Sequence, residues 1–146
     1  MDINNNLITI RPAEIRDCEI CVELSKIKEL KPAGGSYIPE DYFKACIDDD
    51  EMFLVAEINS EVKGYILGEP MKGNNANLSL LAVEQKNRGQ GIGTKLIQAF
   101  RKRCDEKNLG FIILYAPKLN KKTLKFYRKN GFEEGKEHIQ FGEFRG

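Results

Sequence analysis

Three glycines at alternate positions, Gly89, Gly91 and Gly93, lie in the segment Arg88-Gly89-Gln90-Gly91-Ile92-Gly93-Thr94. Glycine enters left-handed backbone conformations without steric cost, so such a run turns sharply and gathers its N–H groups on one side. The apolar stretch before it ends at Val83 and an amphipathic stretch follows it. Read as strand and helix, they put the run at a helix N-terminus, where unpaired N–H donors and the positive dipole end bind phosphate oxygens. Arg88 and Thr94 add a charged and a hydroxyl donor at the two edges. The same glycines also suit a plain strand-to-helix turn. Neither familiar nucleotide loop fits: the pattern GxxxxGK[ST] is absent, and the glycine spacing differs from the dinucleotide fingerprint GxGxxG.

Asn120 and Tyr127 form a second group. They are seven residues apart, about two helical turns, so on a helix both side chains share a face and can line a cleft together. Tyr127 follows Phe126, and a core aromatic with a solvent-facing hydroxyl is the alternative.

The elements that must position these groups can be read from the pattern. Residues 7–11 are β-branched and alternating, a first strand stopped by Pro12. Asp17 as N-cap and apolar Ile20, Val22, Leu24, Ile27 and Leu30 predict a helix from Asp17 to Leu30. Breakers at residues 31–36 separate it from a short helix opening at Pro39 and reaching Ile47. Residues 53–58 and 62–67 read as a hairpin around Asn59-Ser60-Glu61. Residues 77–83 form a central strand and 111–115 another, buried on both faces. Between them Ile92, Leu96, Ala99, Phe100 and Cys104 mark one face of a long helix over residues 91–107. A helix over residues 120–130 with Gly131 as its left-handed cap, then one or two closing strands over residues 132–144, complete the chain.

A length of 146 residues with 41% hydrophobic content suits one domain over residues 1–146. A formal net charge of +1 supplies no global field for nucleic acid or an anionic membrane, so neither partner is expected. The apolar runs fall short of the ~18 to 20 residues that span a bilayer. Cys18, Cys21, Cys46 and Cys104 offer one CxxC and no second pair or histidine cluster, so no metal is expected. Cys18 and Cys21 read as small buried residues of the first helix. Free thiols and the lack of a visible signal peptide fit a soluble protein of a reducing cytoplasm.

The glycine segment resembles motif A of the GNAT superfamily of N-acetyltransferases, [Q/R]-x-x-G-x-[G/A], with Arg88, Gly91 and Gly93 at its specified positions. Other stretches agree with the family in order. Ile10-Arg11-Pro12-Ala13 with Asp17 is similar to its first strand and helix entry, and residues 62–68 to its third strand. Asn120, Tyr127 and Gly131-Phe132 are similar to its motif B. Gln85 stands where members often carry proline.

The resemblance implies an α/β fold of the α+β kind, with a mixed, mostly antiparallel central sheet flanked by helices on both faces. It implies acetyl-CoA as co-substrate and transfer of the acetyl group to a primary amine of a small molecule or peptide in a ternary complex. Leu81, Ala82 and Val83 would pair with the pantetheine arm, and Arg88, Gly89, Gln90, Gly91, Ile92, Gly93 and Thr94 would cradle the pyrophosphate. The fourth and fifth strands would splay apart to admit the thioester. Asn120 would hydrogen-bond the cofactor arm, and Tyr127, also a cofactor contact, would act as the catalytic acid toward the departing thiolate. A catalytically silent acyl-CoA sensor retaining the loop is the alternative.

An amine is mostly protonated at neutral pH, so the reaction needs a proton acceptor. Glu69 and Glu84 are nearest by sequence, and neither is singled out; His138 reads as a structural residue of a late strand. Asp48-Asp49-Asp50-Glu51 reads as a solvated helix end rather than a cation pocket, and the Gly34-Gly35-Ser36-Tyr37 segment as a wall of the acceptor site. Monomer and homodimer both stay open.

Overall fold

The computed structural model describes residues 8–27, 30, 37–47 and 51–146. The chain divides into two compact units, Met1–Tyr115 and Ala116–Gly146. Both the acidic run at Asp48, Asp49 and Asp50 and the wall segment at Gly34, Gly35 and Ser36 lie outside the described residues.

The first unit is built on a five-stranded sheet: β1 (Ile8–Pro12), β2 (Phe53–Ile58), β3 (Glu61–Met71), β4 (Asn75–Val83) and β5 (Phe111–Ile113). The strands lie side by side in chain order. The first four pair antiparallel, and β5 joins β4 in parallel. The helices of this unit are α1 (Cys18–Leu24), α2 (Glu40–Ala45) and α3 (Ile92–Glu106). This is the mixed, mostly antiparallel sheet that the sequence predicts. Asn59 and Ser60 turn the β2–β3 hairpin with φ of 52° and 66°, the left-handed pair that matches strand twist. Asn59 suits this conformation better than most side chains.

Alternation along the strands assigns the two faces. Phe53, Val55, Tyr65, Leu67 and Ala82 form one core with Cys18, Cys21, Leu24 and Phe43 of α1 and α2. The opposite face meets α3 at two glycines of β3. A Cβ on Gly64 would stand 3.2 Å from Ile92 and 3.3 Å from Leu96, and one on Gly68 would stand 2.3 Å from the Phe100 ring and 2.5 Å from the Asn77 carbonyl. The bare backbone at these positions lets α3 lie against the sheet and fixes where the helix begins. Gly68→Ala should therefore destabilise the protein by about 2 to 3 kcal/mol through overpacking, measured as a fall in denaturant midpoint. An unchanged midpoint would mean the helix has room to shift.

The first helix is shorter than its periodicity predicts. It ends at Leu24, because the buried Ser25 hydroxyl donates to the Cys21 carbonyl at 2.6 Å and lies 2.5 Å from the Tyr65 hydroxyl. The side chain thus engages a terminal carbonyl and ties the helix end to β3. The helix buries Cys18 and Cys21, whereas Ile20 is exposed. Burial raises the Cys21 thiol above its ordinary range and raises Cys18 as well, which suits inert core thiols.

Asp17 is the N-cap residue of α1, as the sequence predicts, but its side chain makes no capping bond to the helix. It accepts both guanidinium nitrogens of Arg11, at 2.7 and 2.8 Å, and the Glu14 N–H at 2.7 Å. Arg11 reaches Glu57 of β2 as well, at 2.7 Å, so the group joins β1, β2 and the entry to α1. Burial pushes the Asp17 carboxyl up, but the bonds from Arg11 and Glu14 outweigh it and hold it below the usual range. A depressed folded value gives stability that is present above the unfolded value of about 3.9 and lost as pH falls through the folded one. Asp17→Asn should accordingly lower stability by about 2 to 3 kcal/mol near neutral pH and flatten the acid limb of a stability profile. An acid limb identical to wild type would remove Asp17 from this role.

β5 is three residues long and not fully buried as its sequence suggests; Phe111 is 60% exposed. It lies at the end of the strand order with β4 as its neighbour, so one edge lacks the cover that a central strand has.

The second unit holds α4 (Lys121–Lys129), capped by Asn120 at its start and followed by Gly131 with φ of 89°, the cap read from the sequence. The closing strands expected after Phe132 are not formed: residues 132–146 carry no regular structure, and Ile139, Phe141 and Phe144 are exposed. Extended backbone needs a partner ladder, and no other strand is present among the described residues of this unit. His138 therefore does not sit in a strand.

Candidate functional site

The β4 strand leads straight into the glycine loop. Ala82 is buried, and Leu81 and Val83 are half-buried. A short 3-10 turn (Gln85–Asn87) follows, closed by Asn87 N–H donating to Glu84 at 2.9 Å and Arg88 N–H to Gln85 at 3.3 Å. The turn thus forms with Gln85 in place of a proline. Gly89 and Gly91 both take φ of 82°, and a Cβ on either would meet open space. Conformation, not crowding, is what these two positions require.

Gly91 is the N-cap of α3, and its carbonyl accepts the Lys95 N–H at 3.0 Å, the first bond of the helix. The preceding N–H groups, those of Ile92, Gly93 and Thr94, fall in the first turn, where helical geometry provides no intrahelical partner. They open onto an exposed loop: Arg88, Gly89, Gln90 and Gly91 are all exposed. Arg88 Nε donates to the Val83 carbonyl at 3.3 Å, which steers the guanidinium back over the end of β4. These N–H groups and Arg88 lie together on a chain of almost no net charge.

The β4 strand has a second property that its sequence conceals. It pairs with β5 through Asn75↔Phe111, Ala76↔Ile112 and Asn77↔Ile113 only. Beyond Asn77 the pairing stops, because β5 ends at Ile113, so residues 78–83 have an edge unpaired by β5. At the closed end of this fork the β3–β4 register steps from Leu67↔Leu80 to Gly68↔Leu78, leaving Ser79 as the extra residue of a bulge. Bulges re-aim side chains and end pairing beside functional clefts. Polar Asn77 and Ser79 just ahead of the apolar run over residues 80–83 are the sequence signal for it.

Glu84 occupies the other end of β4. Its carboxylate is 3.0 Å from Lys63 Nζ, which also lies 3.0 Å from Glu61, and its N–H donates to the Lys63 carbonyl at 2.7 Å. These bonds account for Glu84 as a fastener between β3 and the loop.

In the second unit, Asn120 Oδ1 accepts the Thr123 N–H at 3.1 Å. The cap uses the amide oxygen and leaves Nδ2 as a donor. Tyr127 stands edge-on to Phe126 and to Phe132, with centroids at 5.3 and 5.7 Å. The Phe132 N–H donates to the Tyr127 carbonyl at 3.0 Å, fixing the end of the helix. Burial pushes the phenol up to about 12, so its proton is held throughout the neutral range.

The family model for the acetyltransferase (GNAT) domain matches residues 49–134. This stretch runs from β2 through the glycine loop to α4 and crosses the boundary between the two units. The chain belongs to the GNAT acetyltransferase family.

Among relatives of this GNAT chain, an uncharacterized N-acetyltransferase of Methanocaldococcus jannaschii, MJ1530, is 36% identical over 85 residues, 58% of this chain and 54% of its own. The chain spans about half the length of the curated relatives it matches. An aminoglycoside acetyltransferase from an uncultured soil metagenomic sample, solved with trehalose and with sisomicin, superposes with a TM-score of 0.75. It is 20% identical, over 97% of this chain and 99% of that one. The NatC complex bound to Gag peptide and CoA contains a chain with a TM-score of 0.74 and 21% identity, covering 89% and 87%. At these identities the solved structures establish the GNAT fold.

Proposed function

We propose that the protein is an acetyl-CoA-dependent N-acetyltransferase acting on a primary amine, with residues 1–146 as one catalytic domain of the cytoplasm. The observation that carries this reading is the continuity of the open β4 edge with the glycine cradle. The strand runs from the stretch that β5 leaves unpaired straight into a glycine-rich helix start. Ligands of open α/β sheets bind outside the carboxyl ends of parallel strands in this manner.

The assignment of roles follows from the groups present. Residues 78–83 offer backbone donors and acceptors along the free edge, and Leu81, Ala82 and Val83 pair with the two amides of the pantetheine arm as a strand would. Arg88, Gly89, Gln90, Gly91, Ile92, Gly93 and Thr94 hold the pyrophosphate through backbone N–H groups, the Arg88 fork and the Thr94 hydroxyl. Asn120 donates from Nδ2 to the arm. Acetyl-CoA supplies the activated thioester. The fork's closed end at Asn77 stops the arm and places the acyl carbon where an amine can approach, so positioning is the main catalytic contribution. Tyr127 donates its proton toward sulfur as the thiol departs.

A small-molecule or peptide amine is the acceptor. The structural neighbours solved with sisomicin or with a peptide are consistent with both kinds. A monomer or a homodimer would serve equally, since the cradle and fork belong to one chain. A silent acyl-CoA sensor would keep the cradle without turnover. Thiol release from acetyl-CoA across a panel of polyamines, aminoglycosides and peptide N-termini distinguishes them: amine-dependent release supports the enzyme, and release that no amine accelerates supports the sensor.

A further inference from the structure

The closed end of the fork carries polar side chains on one face of the sheet. In β3, Tyr65, Leu67 and Glu69 alternate onto the α1 and α2 side, while Gly64 and Gly68 face α3. Glu69 stands opposite Asn77, the last β4 residue paired to β5, and Met71 stands opposite Asn75. Asn77 Nδ2 donates to the Ser79 hydroxyl at 2.8 Å, so the bulged serine is turned to the same side as Asn77. Tyr42 of α2 is near enough to feel this carboxylate: its phenol is raised by burial first, with Cys46 and the charge of Glu69 adding to it. Tyr42 and Met71 remain 43% and 46% exposed, and Glu69 and Ser79 are exposed as well.

We infer that Glu69, with Asn77 and Ser79, forms the acceptor subsite and selects an aliphatic primary ammonium, whose stem lies against Tyr42 and Met71. The inference rests on the acetyltransferase reading and deepens it by naming the substrate class. Three features converge on it. The carboxyl group supplies the opposite charge. The Asn77 side-chain amide oxygen and the Ser79 hydroxyl oxygen supply acceptors for the remaining N–H groups of an ammonium. Met71, two residues from Glu69 on the same strand, and Tyr42 add exposed apolar surface, which favours an alkyl-ammonium over a hydrated inorganic cation. Glu84, the other acidic candidate, is bound to Lys63 at the far end of the strand. Glu69 is therefore a specificity-determining residue beside the point where the thioester would stop.

The test is an amide NMR titration of wild type and Glu69→Gln with n-butylamine, and with n-butanol as the uncharged control, each with and without CoA. n-Butylamine should shift the Asn77 and Ser79 resonances, with affinity about fivefold weaker in Glu69→Gln, in line with a single solvent-exposed ion pair. n-Butanol should leave them unmoved. No response to n-butylamine, an equal response in both proteins, or an equal response to n-butanol would overturn the subsite. Failure of the underlying reading looks different: the amine response would follow Glu69, but CoA would shift no resonance of the glycine loop. Because Glu69 is exposed, a preserved amide spectrum is expected for the variant and checks its fold.

Discussion

Tyr127→Phe should lower turnover by about a hundredfold or more while changing acetyl-CoA affinity less than twofold. The lower limit follows from the usual contribution of a positioned general acid. The substitution removes one hydroxyl and leaves the ring between Phe126 and Phe132, so packing and helix position survive. With its pKa raised to about 12, the phenol remains protonated throughout the range in which an acceptor amine loses its proton. The free-enzyme pH profile should consequently rise with amine deprotonation and show no alkaline limb from this group. A thiol of pKa about 8.5 in water leaves as too weak a base to take this proton outright. The transfer is favourable only where sulfur is desolvated too, because loss of water raises a thiol as it raises a phenol. Single-turnover rates with wild type and variant measure the effect, and equal rates would remove Tyr127 from the chemistry.

The largest effect on binding is expected at Gly91. Its φ of 82° is a conformation that aspartate tolerates better than most residues, and aspartate is a favourable N-cap. Open space surrounds the position, so Gly91→Asp should fold. Its carboxylate would stand in the cradle against the pyrophosphate. At about 4 Å and an effective dielectric near 20, each like-charge contact costs on the order of 4 kcal/mol before screening. Acetyl-CoA affinity should fall by at least about a hundredfold. Gly91→Asn keeps the shape without the charge and should lose far less, which separates repulsion from backbone strain.

What the sequence made legible was the part of the molecule governed by local rules. The glycine spacing, the apolar stripe of α3 and the Gly131 cap each depend on a few adjacent residues, and each is where the pattern predicts. Long-range contacts decided the rest. Ser25 ends α1 through Tyr65, forty residues away, which no helical period reveals. Gly68 reads as an ordinary strand residue until Phe100 is seen above it. The fork between β4 and β5 depends on where parallel pairing stops, and the exposure of β5 on its having one neighbour. The tail alternates like a strand, but alternation does not supply a partner. Asn120 was legible as a polar group on α4, whereas its use of Oδ1 as a cap depends on the helix starting one residue later.

The most direct test of the central claim is calorimetric titration of acetyl-CoA into the wild-type protein, with Gly91→Asp alongside. Micromolar binding by the wild type that is lost in the variant is the predicted result. A wild-type protein that binds no acetyl-CoA would reduce the glycine loop to a strand-to-helix turn and contradict the account.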